Sequence, residues 1–301
     1  MEQLLPHLSA LEALRGNPVL VFASMITDDT VRVVYEWLRK RGRVERLDLV
    51  LSTTGGVVTR ARQLALLLRD YTEYLTILVP YRAWSSGTLL CLSADKLILG
   101  PLAELGPIDA HIGAAGPLPP DAPGLISAQD IRAFRQMAED WFNVKRPDDR
   151  LQVLALVAQR IFPTSLSGFY RFDQLTRQIG YELLAYQLPH VDETARRQIV
   201  DRLADGYLAH DYIISRADAL GLGLNVTFAA PQEETLLWSV YQACRAQIAE
   251  HPGQSEQSIA GLIAGTDFWA RQVFRPVPGA DPRQRGSVDV QWEIDWFKES
   301  T

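Results

Sequence analysis

The 301-residue sequence has only two cysteines, Cys91 and Cys244. They stand far apart with no Cys-x-x-Cys spacing, which excludes a zinc knuckle or a disulfide framework and fits a reducing compartment. Positive charge is not in excess, because 36 acidic against 30 basic residues leave a net charge of −6. Such a chain offers no field for a polyphosphate backbone to neutralise, so nucleic acid is not an expected partner. No apolar run approaches the ~18 residues that a bilayer-spanning helix needs. The opening stretch, Met1 to Asn17, lacks a basic segment followed by an unbroken apolar one. The expectation is a cytoplasmic protein with no membrane span. No fixed-period repeat is visible, and no Gly-x-Gly-x-x-Gly follows the first apolar run, which argues against a dinucleotide-binding fold. No metal and no cofactor are expected.

What the sequence does contain is alternation. Pro18 to Ala23 is a short apolar run suited to a strand buried on both faces, and the Thr27 to Thr30 stretch is rich in helix-capping residues. Val31, Val34, Tyr35 and Leu38 then recur at helical spacing up to Gly42, where a left-handed stop is expected. Strands are predicted at 47–51, 75–79 and 96–99, separated by a helix through Leu64, Leu67 and Leu68 and a shorter one from Thr88 to Ala94. This pattern predicts an α/β fold with a mainly parallel sheet. Four prolines between Gly113 and Gly124 mark a surface loop and lid candidate. Helices are predicted at 128–141, 151–161, 172–187, 193–209, 233–250 and 256–273, with a draped connector at 275–287. The expected division is a core over residues 1–225 and a helical C-terminal extension over 226–301.

Two strand ends carry the candidate chemistry. Functional groups in an open parallel sheet gather at the carboxyl ends of strands, where helix N-termini present free N–H groups. Gly55-Gly56 and Ser85-Ser86-Gly87 both lie there. Paired glycines let the backbone aim N–H donors at a ligand, as an oxyanion hole requires, but they also make a tight strand-to-helix turn. Ser85 is open to two readings as well, a nucleophile or a helix cap.

The combination resembles the Clp-protease and crotonase superfamily, and within it the serine dehydrogenase proteinase family, related to the signal peptide peptidase A group. The residues that carry the resemblance are Leu51-Ser-Thr-Thr-Gly-Gly56, Val79 to Leu90, Ser93-Ala-Asp95 and Leu105-Gly-Pro-Ile-Asp109, with a weaker echo from Asp211 to Leu224. The family pattern has Pro at Thr54, Ala at Ser86 and Pro-Gln at Ala110-His111. The resemblance implies a Clp-protease/crotonase-like ββα superhelix and a serine peptidase acting on a peptide or protein substrate. It also implies a homo-oligomer. Ser85 falls on the family's nucleophile, with N–H groups of Gly55 or Gly56 and of Ser86 as oxyanion donors.

A serine hydroxyl needs a neighbouring base, and the superfamily uses a histidine supported by an aspartate, or a lysine. His111, 26 residues after Ser85, is the expected base, and Lys145 is the alternative. Asp205, Asp211 and Asp109 are candidate supporting acids. His210 reads as a capping or surface histidine unless the fold brings it to Ser85. Two other classes stay open: crotonase-type chemistry on an acyl thioester, and a catalytically silent scaffold of the same fold.

Overall fold

The computed structural model describes residues 3–109, 111–113, 125–160, 163–250, 252, 257–277 and 288–297, with only the backbone described for 111–113 and 125–127. In chain order the first half comprises α1 (Leu4–Arg15), β1 (Val19–Ala23), α2 (Asp28–Arg41), β2 (Val44–Ser52), α3 (Val58–Tyr71), β3 (Thr72–Val79), β4 (Arg82–Ala83), α4 (Ser86–Cys91), β5 (Lys96–Leu99), β6 (Glu104–Leu105), β7 (His111–Gly113) and β8 (Leu125–Ser127). The second half comprises α5 (Ala128–Phe142), α6 (Pro147–Arg160), α7 (Pro163–Gln187), α8 (Glu193–Asp205), β9 (Ile214–Ser215), α9 (Arg216–Gly221), β10 (Val226–Phe228), α10 (Pro231–Arg245), β11 (Ser258–Ala264), β12 (Phe268–Pro276) and β13 (Val288–Trp296).

The main sheet runs in the order β10-β5-β3-β2-β1-β11-β12-β13. Its first five strands are parallel, and β11 to β13 continue it antiparallel from β1. This α/β architecture with a large, mainly parallel sheet is the ClpP-like one. The unbroken apolar runs follow from burial on both faces. In β1, Leu20 and Phe22 enter a core under α2, α3 and α4, while Val19, Val21 and Ala23 pack on the opposite side with residues of α1 and α10. The capping stretch works as its residue types require: Thr30 N–H donates to Thr27 Oγ1, and Thr27 N–H donates to Thr30 Oγ1 at 2.8 Å.

One polar residue breaks the apolar pattern of β2. Asp48 is fully buried on the α1 and α10 side, where Arg15 grips its carboxylate with Nε at 2.7 Å and a second nitrogen at 3.1 Å. Arg15 also bonds Glu233 on α10 at 2.9 Å. The ion pair thus ties both covering helices to the sheet.

Beyond residue 226 the expectation of a helical extension needs correction. α10 is helical, but the predicted helix at 256–273 is instead β11 and β12, joined at Gly265, whose N–H donates to Phe268 O at 2.8 Å. Arg275 and Pro276, expected in a draped connector, close β12, and β13 adds a further strand. The rest of that connector, 278–287, and the proline-rich loop at 114–124 lie outside the described residues.

Candidate active site

Ser85 stands where β4 turns into α4, with φ 53° and ψ −118°. Of the described residues other than glycine, only it and Asn143 have positive φ. A serine in the N-cap position normally turns its oxygen onto the first helical N–H groups, but Ser85 makes no capping hydrogen bond. In this strained turn Ser85 is half-buried, and its Oγ is unbonded among the described residues. Ser86 is the reverse case. It is buried, and its hydroxyl has no hydrogen-bond partner among the described residues, so its side chain is not presented to solvent as that of Ser85 is.

The glycine loop is built against this turn. Thr53 N–H donates to Arg82 O at 2.9 Å, and Trp84 N–H donates to Thr53 O at 3.1 Å, which locks the end of β2 beside β4. Gly55 has φ 108° and Gly56 φ 147°. A Cβ on Gly55 would come within 3.0 Å of Ser85 Cβ, and one on Gly56 within 2.2 Å of Ile26 O. Both glycines are therefore required by closeness as well as by dihedral angle. Gly55 N–H is already engaged by Thr53 Oγ1 at 3.0 Å. The N–H groups of Gly56 and Ser86 make no hydrogen bond among the described residues.

A small second sheet, β4-β6-β9, gathers the remaining groups. Ala83, Leu105 and Ile214 share one row, with β4 and β6 parallel and β9 antiparallel. Residues after Ala83, after Leu105 and before Ile214 therefore leave from one end of this sheet. Ser85 is two residues past Ala83, Asp109 four past Leu105, and His210 four before Ile214. At that end His210 Nδ1 lies 2.6 Å from Asp109 Oδ1. Asp109 is buried and His210 is 38% exposed, so the carboxylate is sheltered and the ring reachable. In the neutral tautomer that donates Nδ1–H to Asp109, the ring's lone pair is on Nε2. Thr88 of α4 ties the ends of β4 and β6 together: its hydroxyl donates to Ala83 O at 2.8 Å and accepts from Gly106 N–H at 3.0 Å.

The other predicted groups are placed differently. The backbone of His111 forms β7, and its side chain lies outside the described residues. Lys145 is exposed on the connection between α5 and α6. Asp205 is paired with Arg132 and Arg177. Asp211 is exposed and bonded to no described residue. His210 is 101 residues from Asp109 and surrounded by no motif. Only the pairing of β6 with β9 brings the two together.

Residues 8–136 match the family model described as ClpP-like SDH-type serine proteinase. This segment is similar to that family. It makes up less than half of the chain and contains the glycine loop, the Ser85 turn and Asp109, whereas His210 lies beyond it. The chain is also 28% identical over 227 residues to the uncharacterized protein MJ0137 of Methanocaldococcus jannaschii, a match covering 75% of this chain and 68% of that protein. A second uncharacterized protein of the same organism, MJ1495, is 25% identical over 226 residues, covering 75% of this chain and 66% of the relative. Among solved structures, a mutant of the 1510-N membrane-bound stomatin-specific protease aligns at 13% identity and TM-score 0.44, over 80% of this chain and 87% of its own. No described helix is long and apolar enough to cross a membrane.

Proposed function

We propose that the chain is a serine peptidase in which Ser85 attacks a peptide carbonyl and the N–H groups of Gly56 and Ser86 hold the oxyanion. The observation that carries this reading is the Ser85 turn, a serine in a strained conformation at a helix start that it does not cap. His210, held by Asp109, takes the Ser85 proton and returns it to the leaving amine. Gly55, its N–H engaged by Thr53, shapes the loop. In this reading His111, the base expected from sequence, and Lys145 are the alternatives that the same assays must exclude.

The active protein is a homo-oligomer working on peptide or protein substrates in the cytoplasm, with no metal or cofactor in the reaction. Support for assembly comes from α5 and α6, which expose Trp141, Phe142, Leu151, Leu154 and Leu156.

The test is peptide hydrolysis by two variants. Ser85→Ala loses all activity above background. Ser86→Ala keeps most of it, because alanine retains the main-chain donor. The opposite pattern overturns the assignment, and activity in both variants would remove serine chemistry from this site. Acyl-thioester turnover without any modifiable serine would support the crotonase-type reading instead.

A further inference from the structure

A cavity of about 590 Å³ opens beside the glycine loop, between the carboxyl ends of β1 and β2 and the end of α10. Its walls include Ser52, Thr53 and Thr54, which lead directly into Gly55, and Arg82, three residues before Ser85. The strand register explains the grouping. Ala23 pairs with Ser52, and Thr53 bridges Ala83, so Ala23, Ser52 and Arg82 fall in one row and present one face.

Arg82 is the unusual member. Its guanidinium lies 4.3 Å from the ring centre of Tyr81 and 4.4 Å from that of Trp84. One terminal nitrogen donates to the Tyr81 hydroxyl. Its Nε is buried and has no hydrogen-bond partner, and no carboxylate of the described residues forms an ion pair with it. The acid opposite in register is Glu104 on β6, but its Oε2 is likewise buried and unbonded, so the two do not satisfy each other. The second cation on the wall, Arg245, is already paired with Glu250. Tyr241 closes one side, and burial raises its pKa. A half-buried arginine on the cavity wall, close to two rings and with no ion-pair partner among the described residues, with the Ser52 hydroxyl in the same row, suits a planar anion with two oxygens.

We propose that this cavity is a carboxylate subsite of the peptidase, in which Arg82 receives an acidic side chain or a chain-terminal carboxylate of the bound peptide. The inference rests on the peptidase reading for its place in catalysis, since Thr54 on the cavity wall directly precedes the glycine loop and Arg82 stands three residues before Ser85. Binding of a carboxylate there does not depend on turnover.

The experiment uses two matched peptide pairs. One pair has blocked ends and differs only as internal Glu against Gln. The other differs only as a free C-terminal acid against the amide. Each is measured as kcat/KM with the intact protein, and as binding by fluorescence anisotropy with the Ser85→Ala protein. The expected result is a carboxylate preference of about tenfold or more in one pair, the size of a charge-assisted hydrogen bond. The pair that shows it identifies the source of the carboxylate. Arg82→Gln brings the ratio close to one, and Arg82→Lys restores part of it. If Arg82→Gln does not fold, Thr54→Asp, a carboxylate placed at the exposed mouth, lowers the ratio instead. Equal handling of both members of both pairs, or a preference that survives Arg82→Gln and Thr54→Asp, overturns the subsite. A protein that binds with the preference but neither hydrolyses peptides nor reacts with a fluorophosphonate contradicts the peptidase reading and leaves the subsite standing.

Discussion

At the scale of single residues, the site depends on conformations that most side chains cannot adopt. Gly56 combines φ 147° with a backbone oxygen 2.2 Å from where a Cβ would stand. Gly56→Ala is therefore expected to cost several kcal/mol of stability, about 3 or more, and to abolish serine labelling even where folded protein is recovered. Thermal melting with parallel labelling checks this, and wild-type values for both would contradict the described loop. The two thiols make a separate prediction. Burial pushes Cys244 up to about 12 and raises fully buried Cys91 further. Neither thiol should react with iodoacetamide at pH 8 until the protein unfolds. Because the folded-state pKa lies above the ordinary thiol value of about 8.5, this contribution to stability is complete below that pH. It is lost as pH rises toward the folded value. The melting temperature should accordingly fall between about pH 9 and 11, and melting curves across that window decide the point.

At the scale of elements, the parallel half of the sheet was readable because its strands are continuous apolar runs, α2 carries a cap, and α2 and α3 show helical spacing. The hairpin of β11 and β12 was not. Ile259, Leu262 and Ile263 recur at three- and four-residue spacing, which imitates a helical face, and a short apolar run cannot be assigned by period alone. The missed signal was Gly265-Thr266-Asp267, a three-residue turn between two β-rich runs. The two-residue strands β4, β6 and β9 have no sequence signature at all, although they assemble the site. The link between α1, α10 and β2 gives this scale its prediction. Asp48→Ala leaves Arg15 without its buried partner and should destabilise the protein by about 3 kcal/mol, a value at the low end for a buried pair because Arg15 is partly exposed. Asp29→Ala, which removes the exposed pair with Arg32, should change stability by less than about 1 kcal/mol. Denaturant titration of both variants separates these outcomes.

At the scale of the whole molecule, the Ser85 turn and the glycine loop lie in local motifs, whereas the Asp109–His210 pair depends on tertiary pairing across the entire helical insert. Residues brought together by a fold leave no spacing to recognise. The exposed apolar residues of α5 and α6 belong to this scale too. A homo-oligomer predicts a solution mass at a multiple of 33.7 kDa at micromolar concentration, and a monomer alone under those conditions would count against it. The central claim is that Ser85 is activated by His210 oriented by Asp109. The most direct test is the rate of fluorophosphonate labelling of the intact protein, with the adduct located by peptide mapping, in wild type, His210→Gln, Asp109→Asn, His111→Gln and Lys145→Met. The account predicts an adduct on Ser85, a loss of roughly 10³-fold or more in His210→Gln and Asp109→Asn, and near-normal rates in His111→Gln and Lys145→Met. Normal labelling of His210→Gln, with loss in His111→Gln or Lys145→Met, would contradict it.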